Sequence, residues 1–534
     1  MRALRLTQLG NVYLRLSHQV RSFAMRSRFC PTFDPYSYSR GRWLDQNEQR
    51  QKARRIEFSF DALLDVAVNC SKSAREVVAC EKREGGFNRV FIVELDNGEK
   101  VVAKVPMRFS GPPALTTMSE VATLRYVKSK TSVPVPRVLA WSSKAESNHV
   151  GIEYIIMEHM SGIALTDVWP HMTELQHIEF IESLGAMVKE LCALDFAALG
   201  SLYLNTPDKP APTHPIDEEY CIGPHCGRQF WGFTDDKTTS AAIPQGFQGP
   251  CKCMSRLFAD LNEISKLTVE QRGSSQKVVE DHLQLLDTNM KTLEAVENTT
   301  TVQDSCSSLL FHPDLHARNI FVDPNEPKTI LGLIDWQSAA IEPAFSHVLE
   351  TPDFAEEPLL DKTLDADDAQ YSSEAQNHAQ RCKKTWAIMT FLCPKLGKAT
   401  ALNPALCRYL AGVVSGCADE ATSLRSLLAD VSSEWNGLGI PGACPYQPSS
   451  VDANLLNVEQ DQLESTKRLR MYLSRLLRCE TDGWVEEGRW NEVIPVYREQ
   501  YAEFVSACIA SREEDENEED AKRKADALWP FDLR

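Results

Sequence analysis

Residues 308–339 read SLLFHPDLHARNIFVDPNEPKTILGLIDWQSA. Apolar runs LLF and IFV flank HPDLHARN, and TILGLID follows a turn built on DPNEPK. That pattern puts Asp314 in a loop, Asn319 at the start of a strand and Asp335 at the end of the next strand. Two hairpin strands lie side by side, so the loop and the far end of the second strand converge. Asn319 and Asp335 then supply hard oxygen ligands suited to Mg²⁺, which takes few protein ligands and completes its shell with water and phosphate. Asp314, five residues before Asn319, sits where it accepts a proton from a hydroxyl group. Phosphoryl transfer asks little more of a protein than metal ions on the phosphates and a carboxylate that orients the nucleophile. The bland alternative is an Asx-rich loop whose aspartate caps a turn.

Upstream, the periodicity changes along the chain. Ser59 is a candidate N-cap for a helix in SFDALLDVAVNC, whose apolar residues fall at helical intervals. VVACEKREGGFNRVFIVELDNGEKVVAKVPM, from residue 77, alternates around a Gly-Gly and an Asn-Gly and reads as three antiparallel strands with two turns. LTTMSEVATLRYVKSKT is a helix stopped by the prolines of VPVPRV, and GIEYIIMEHMSG is a strand leaving the sheet. Residues 57–160 thus form a small β-rich lobe. Residues 161–510 are mostly helical, interrupted by a Pro- and Gly-rich insert at 205–250 that reads as irregular. Residues 29–56 form an extended arm with a short helix, and 511–534 a charged tail or terminal helix.

The order H-x-D-x-x-x-x-N, then a strand ending in Asp, resembles the catalytic loop and metal-binding segment (312–337) of the protein-kinase-like fold. The resemblance implies an α+β, bilobal architecture, with a small antiparallel β-rich N-lobe and a mostly helical C-lobe. It also implies site residues in chain order. VVAK ends in Lys104, which matches the strand lysine on the nucleotide phosphates, and Glu120 on the next helix matches its carboxylate partner. Gly85 and Gly86 fill the place of the phosphate loop without its G-x-G-x-x-G spacing, so they also suit a plain turn. Met157 to Met160, with Glu158 and Met160, occupy the hinge whose backbone hydrogen-bonds adenine. The implied cofactors are ATP and Mg²⁺, with Asp314 catalytic and Asn319 and Asp335 on the metal.

His312 is followed by Pro, Asp335 by Trp-Gln, and no A-P-E segment follows. Those departures resemble the aminoglycoside phosphotransferase and choline kinase group, whose acceptors are small hydroxylated molecules. YSYSRGRWLDQNEQRQKARRIEF, KREGGFNRVFIVELDNGEKVVAKVP, EEYCIGPHC, FHPDLHARNIFVDP and IDWQSAAIEPAF further resemble fungal mitochondrial phosphotransferase-like proteins, from about residue 35 to past 500. The acceptor is then expected beneath residues 215–250 and the helices after 345, where an acidic lining would suit a cationic molecule.

Composition limits the rest. The 534-residue chain carries a net charge of −18, which argues against nucleic acid as its main partner. No apolar run approaches transmembrane length. Residues 1–28 hold six arginines and no acid, the pattern of a mitochondrial transit peptide. The 16 cysteines have no framework spacing, as in a reduced compartment. Two further readings stay open. One is a catalytically inactive, nucleotide-binding scaffold for a mitochondrial protein partner, docked through the 31–56 arm. The other is a zinc-organised module built on Cys221, Cys226, Cys251 and Cys253, whose spacing also fits ordinary packed thiols.

Overall fold

Alternation along residues 77–106 becomes β1 (Val77–Glu84), β2 (Asn88–Leu95) and β3 (Lys100–Pro106) of an antiparallel sheet in a computed structural model that describes residues 29–232, 242–272, 274–356, 366–448, 465–512 and 517–532. The stretch read as a transit peptide, 1–28, lies outside the described residues. Two strands complete the sheet, β4 (Val138–Ser142) and β5 (Tyr154–Glu158), in the spatial order β1-β2-β3-β5-β4. The strand expected to leave the sheet is therefore interior to it. Its burial on both faces explains the placement. Tyr154 and Ile156 join the cluster around Phe60, Leu63 and Leu64 of helix α1 (Phe60–Cys70), while Ile155 and Met157 pack with Val121 of α2 (Leu115–Lys130). Ser59 caps α1, its side chain accepting from the Ala62 N–H.

The larger lobe is mostly helical, with α3 (Glu174–Cys192), α4 (Met254–Gln271), α5 (Gln276–Glu297) and α6 (Ala366–Phe391). Thr173 opens α3 with a capping box closed by Gln176. Part of the insert that read as irregular is ordered. Strand β7 (Tyr220–Gly223) is wholly buried between β6 (Ser201–Leu204) and His214–Pro215, and Asp217 caps the turn into it. The four central cysteines pack separately. Cys221 Sγ lies 3.7 Å from the Tyr203 carbonyl, Cys226 Sγ 3.1 Å from the Tyr203 hydroxyl and Cys251 Sγ 3.6 Å from Asp260, while Cys253 is exposed. Among the described residues they form no metal-ligand group.

The arm packs on its own chain. Gly41–Trp43 pairs antiparallel with Trp484–Glu486, which joins the arm to the C-terminal helices α7 (Trp490–Ala510) and α8 (Glu518–Leu528). The charge-rich terminal segment is helical, capped by Asn517, and Trp529 beyond it donates to Tyr497 at 2.8 Å. Gly41 lies where a Cβ would sit 2.4 Å from the Val485 carbonyl and 2.5 Å from the Trp484 ring. Gly41→Ala is therefore expected to pry the strand pair apart, costing about 1–3 kcal/mol. Limited proteolysis reads this as faster cutting around 465–532; unchanged cutting would mean the pair tolerates the extra methyl.

Candidate active site

Strands β9 (Ile320–Val322) and β10 (Ile330–Leu333) form the expected hairpin, with Ile320 opposite Leu333. A neighbouring pair, β8 (Ser308–Leu310) and β11 (Ile341–Pro343), leads into and away from the same region. Three hydrogen bonds make the loop and the strand end converge. His312 Nε2 donates to the Ile334 carbonyl at 2.9 Å, and its Nδ1 accepts the Asp314 N–H at 3.1 Å. The Ile334 N–H donates to the Asn319 carbonyl at 3.0 Å. Burial pushes the His312 imidazole down, which suits a neutral ring that donates at one nitrogen and accepts at the other.

Asp314 is held from three sides. Asn319 Nδ2 donates to its Oδ2 at 2.8 Å and its backbone carbonyl at 2.9 Å, Arg318 Nη2 lies 2.8 Å from both carboxylate oxygens, and His316 Nε2 is 3.2 Å from Oδ1. With the Asn319 amide donors turned to Asp314, its Oδ1 is the atom that could meet a cation. Asp353 Oδ1 in turn accepts the Ala317 N–H at 2.9 Å. Arg318, His316 and Asp353 were not singled out from the sequence. Arg318 had a signal in its spacing of four from Asp314, whereas Asp353 lies too far along the chain to have one.

Asp335 has φ 64°. A left-handed conformation is tolerated by aspartate better than by most residues, though it still carries strain. Here it accompanies a carboxylate within 2.7 Å of Lys104 Nζ, which also binds Glu120 Oε1 at 2.6 Å. The strand lysine, the helix glutamate and the strand-end aspartate, spread over 231 residues of chain, thus form one cluster. Lys104 and Glu120 are buried, while the Asp335 side chain stays 39% exposed at the mouth. Burial alone would lower the Lys104 ammonium, but Asp335 and Glu120 outweigh it and the group is raised. Burial would likewise raise Asp335, and Lys104 instead holds it below the usual carboxylate range. Both stay charged at neutral pH.

Two further expected elements pack close to these strands. Met160 of the 157–160 segment packs on β10, where a Cβ at Gly332 would meet Met160 Cε at 2.7 Å. Glu158 Oε2 accepts the Arg137 N–H at 3.2 Å, tying that segment to the approach to β4. Gly85 and Gly86 form the β1–β2 turn with ordinary φ, and an added Cβ at Gly86 would meet nothing within 4 Å. Their backbone does not require glycine. The turn is positioned from outside, by Phe87 on Phe109 at 6.1 Å and by Arg228 of the insert 5.2 Å over Phe87. On the expected acceptor side, His225 of the insert reaches Glu342 of β11 at 3.0 Å, and His347 stands 3.6 Å away. Burial would raise Glu342, but these imidazoles keep it lowered. Glu342 is thus a paired carboxylate.

The family model of the phosphotransferase enzyme family, APH, matches residues 80–346. A subtelomeric hrmA-associated cluster protein of Aspergillus fumigatus is 26% identical over 81% of this chain and 94% of its own. Altered inheritance of mitochondria protein 9, mitochondrial, of Lachancea thermotolerans is 22% identical over 58% of this chain and 62% of its own. Among solved structures, an ethanolamine kinase of Plasmodium vivax aligns at 12% identity and a TM-score of 0.35, over 69% of this chain and 86% of that one. The matched span runs from β1 through the β9–β10 hairpin to the strand beyond it, half of the 534 residues. Its α+β build, a small antiparallel sheet followed by a mostly helical region, is the expected one, and the chain belongs to the phosphotransferase enzyme family.

Proposed function

We propose that the protein transfers the γ-phosphoryl group of ATP to a hydroxyl group of a small molecule. The observation that carries this reading is the single cluster of Lys104, Glu120 and Asp335 beside the His312–Asn319 loop. Lys104, positioned by Glu120, meets the nucleotide phosphates; its three N–H donors exceed the two carboxylates it holds. Asp314 orients the acceptor hydroxyl and takes its proton as the new O–P bond forms. Arg318 and Asn319 fix that carboxylate in place. Asn319 and Asp335 form an all-oxygen donor set that fits Mg²⁺. When bound there, the ion neutralises charge on the phosphates. The Met157–Met160 segment offers its backbone to adenine, and Gly85 and Gly86 leave room above the phosphates. The arginine-rich, acid-free residues 1–28 and the relatives named mitochondrial support work in that organelle.

The test is incubation of the protein with γ-labelled Mg-ATP and a metabolite extract, followed by a panel of amino-alcohols and sugars. A labelled small molecule supports a metabolite kinase and identifies its acceptor class. A folded, ATP-binding protein that labels nothing would overturn the reading in favour of a nucleotide-binding scaffold. Lys104→Met should slow transfer by about 10²–10³-fold, as when one preorganised donor to transition-state charge is lost. Glu120→Gln is expected to reproduce part of that loss, because it removes the partner that holds the lysine. An unchanged rate in Lys104→Met would take the lysine out of phosphate binding.

A further inference from the structure

A second group of ligand-type side chains lies behind the catalytic loop, outside the cleft. His177 on α3 faces His378 and Cys382 on α6, and one ligand atom from each falls within 4.8 Å of the others. His177 Nδ1 is 2.6 Å from His378 Nε2, and Cys382 Sγ is 3.6 Å from that same nitrogen. We propose that these three side chains bind a zinc ion that ties α3 to α6.

The hydrogen-bonding around the rings supports ligation. His177 Nε2 lies 2.9 Å from the Trp169 carbonyl, which can only accept. Its proton is therefore on Nε2, and Nδ1 presents a lone pair to the cluster. Such a carbonyl bond to the distal nitrogen is the usual way a metal-binding histidine is oriented. His378 Nδ1 is buried without a hydrogen-bond partner and sits 4.0 Å from a carboxylate oxygen of Glu174. A proton there has a nearby counter-charge and leaves Nε2 bare for the ion. The spacing of four residues puts His378 and Cys382 on one face of α6.

The alternative is a plain imidazole–imidazole hydrogen bond. It accounts for the 2.6 Å contact but gives the Cys382 thiol at the same nitrogen no part. Burial disfavours charge on all three groups, lowering both histidines and raising the Cys382 thiol to about 11. Ion binding releases the thiol proton to solvent and replaces it with the metal. Two imidazoles and a thiolate suit zinc, with a fourth tetrahedral position left open, and suit neither Mg²⁺ nor Ca²⁺. Two nitrogens bound at about 2.0–2.1 Å on a tetrahedral ion stand farther apart than the 2.6 Å seen here, so ligation requires the His378 ring to turn away from His177.

Its place in the fold gives the ion something to hold. Trp169 stacks on His177 at 3.8 Å and packs against Phe354 at 5.6 Å. Asp353, the preceding residue, accepts the Ala317 N–H of the catalytic loop. The ion thus pins the wall on which that loop rests.

The full chain, purified without added metal, should carry one equivalent of zinc by elemental analysis. After chelator treatment, titration with Co²⁺ should give tetrahedral visible bands and a thiolate-to-cobalt charge-transfer band in the near ultraviolet. Cys382→Ser should abolish the charge-transfer band, and His378→Ala should weaken Co²⁺ binding at least about 10-fold. Absence of the band in the stripped parent chain overturns the site, whatever the variants do. So does a band that survives Cys382→Ser. Neither readout depends on phosphoryl transfer, so the site can stand or fall apart from the proposed activity.

Discussion

The Asp314→Asn protein is expected to bind Mg-ATP as the parent does and to transfer phosphate about 10²–10⁴-fold more slowly, the usual worth of a positioned general base. The substitution keeps the shape of the side chain, so Arg318 and Asn319 still have an oxygen to meet. What is lost is the second carboxylate oxygen and the negative charge that draws the acceptor proton. Because Lys104, Glu120 and Asp335 do not touch Asp314 among the contacts that define their cluster, nucleotide affinity has no reason to change. Single-turnover transfer from γ-labelled ATP, beside ATP affinity by calorimetry, separates the two effects. Equal single-turnover rates would remove Asp314 from the chemistry. A parallel loss of ATP binding would mean that the aspartate supports the metal site through Asn319, and that its role is structural.

The geometry of the candidate site was legible because its residues are concentrated. Asp314, Asn319 and Asp335 fall within one hairpin, where a two-residue period and a proline-rich turn fix which ends meet. Lys104 was readable by its place on the third strand of an alternating stretch, and Glu120 by the helix after it. Strand β5 was misplaced because the apolar run YIIM carries no sign of whether it ends a sheet or lies inside it; the cover supplied by α1 and α2 decides that. The insert was misread for a related reason. Its prolines and glycines mark the turns, and the buried four-residue strand between them is too short to show a period.

Long-range polar contacts were the least readable of all. Nothing in KREGGFNRVF distinguishes Arg89 from the exposed Arg83 of the same stretch, yet its side chain is 0% exposed. The partners that bury it lie 35 to 54 residues away in the arm, or behind the turn at Glu84. The arm's pairing with Trp484–Glu486 is more distant still. Such contacts leave no local periodicity, so the sequence does not show that the arm packs against its own sheet and the Trp484–Glu486 strand.

Arg89→Met is accordingly expected to lower stability by about 3–5 kcal/mol, the cost of breaking a buried ion pair from one side. Arg89 Nε donates to Glu84 Oε1 at 3.1 Å, Nη1 donates to the carbonyls of Pro35 and Tyr36 at 3.0 and 2.7 Å, and Nη2 donates to that of Arg54 at 3.1 Å. Methionine fills much of the volume but leaves three carbonyls and a carboxylate with fewer donors in a site closed to water. Lys82 cannot cover the deficit, since it already binds the Asp34 and Ser37 carbonyls and Ser39 Oγ while standing 3.3 Å from Glu84. Arg89→Lys should recover little, because an ammonium cannot reproduce the planar fork that reaches four acceptors at once. The damage should begin in the arm, which these bonds hold against β1 and β2. Chemical denaturation measures the loss, and limited proteolysis should show cleavage within 29–56 before the sheet is cut. Since Glu84 directly precedes Gly85 and Gly86, a released arm also frees one side of the turn over the proposed phosphate site. ATP affinity should then fall in the Arg89 variant although the residue lies outside the cleft. Stability within about 1 kcal/mol of the parent would show instead that the arm is held by its aromatic contacts, with the buried arginine contributing little.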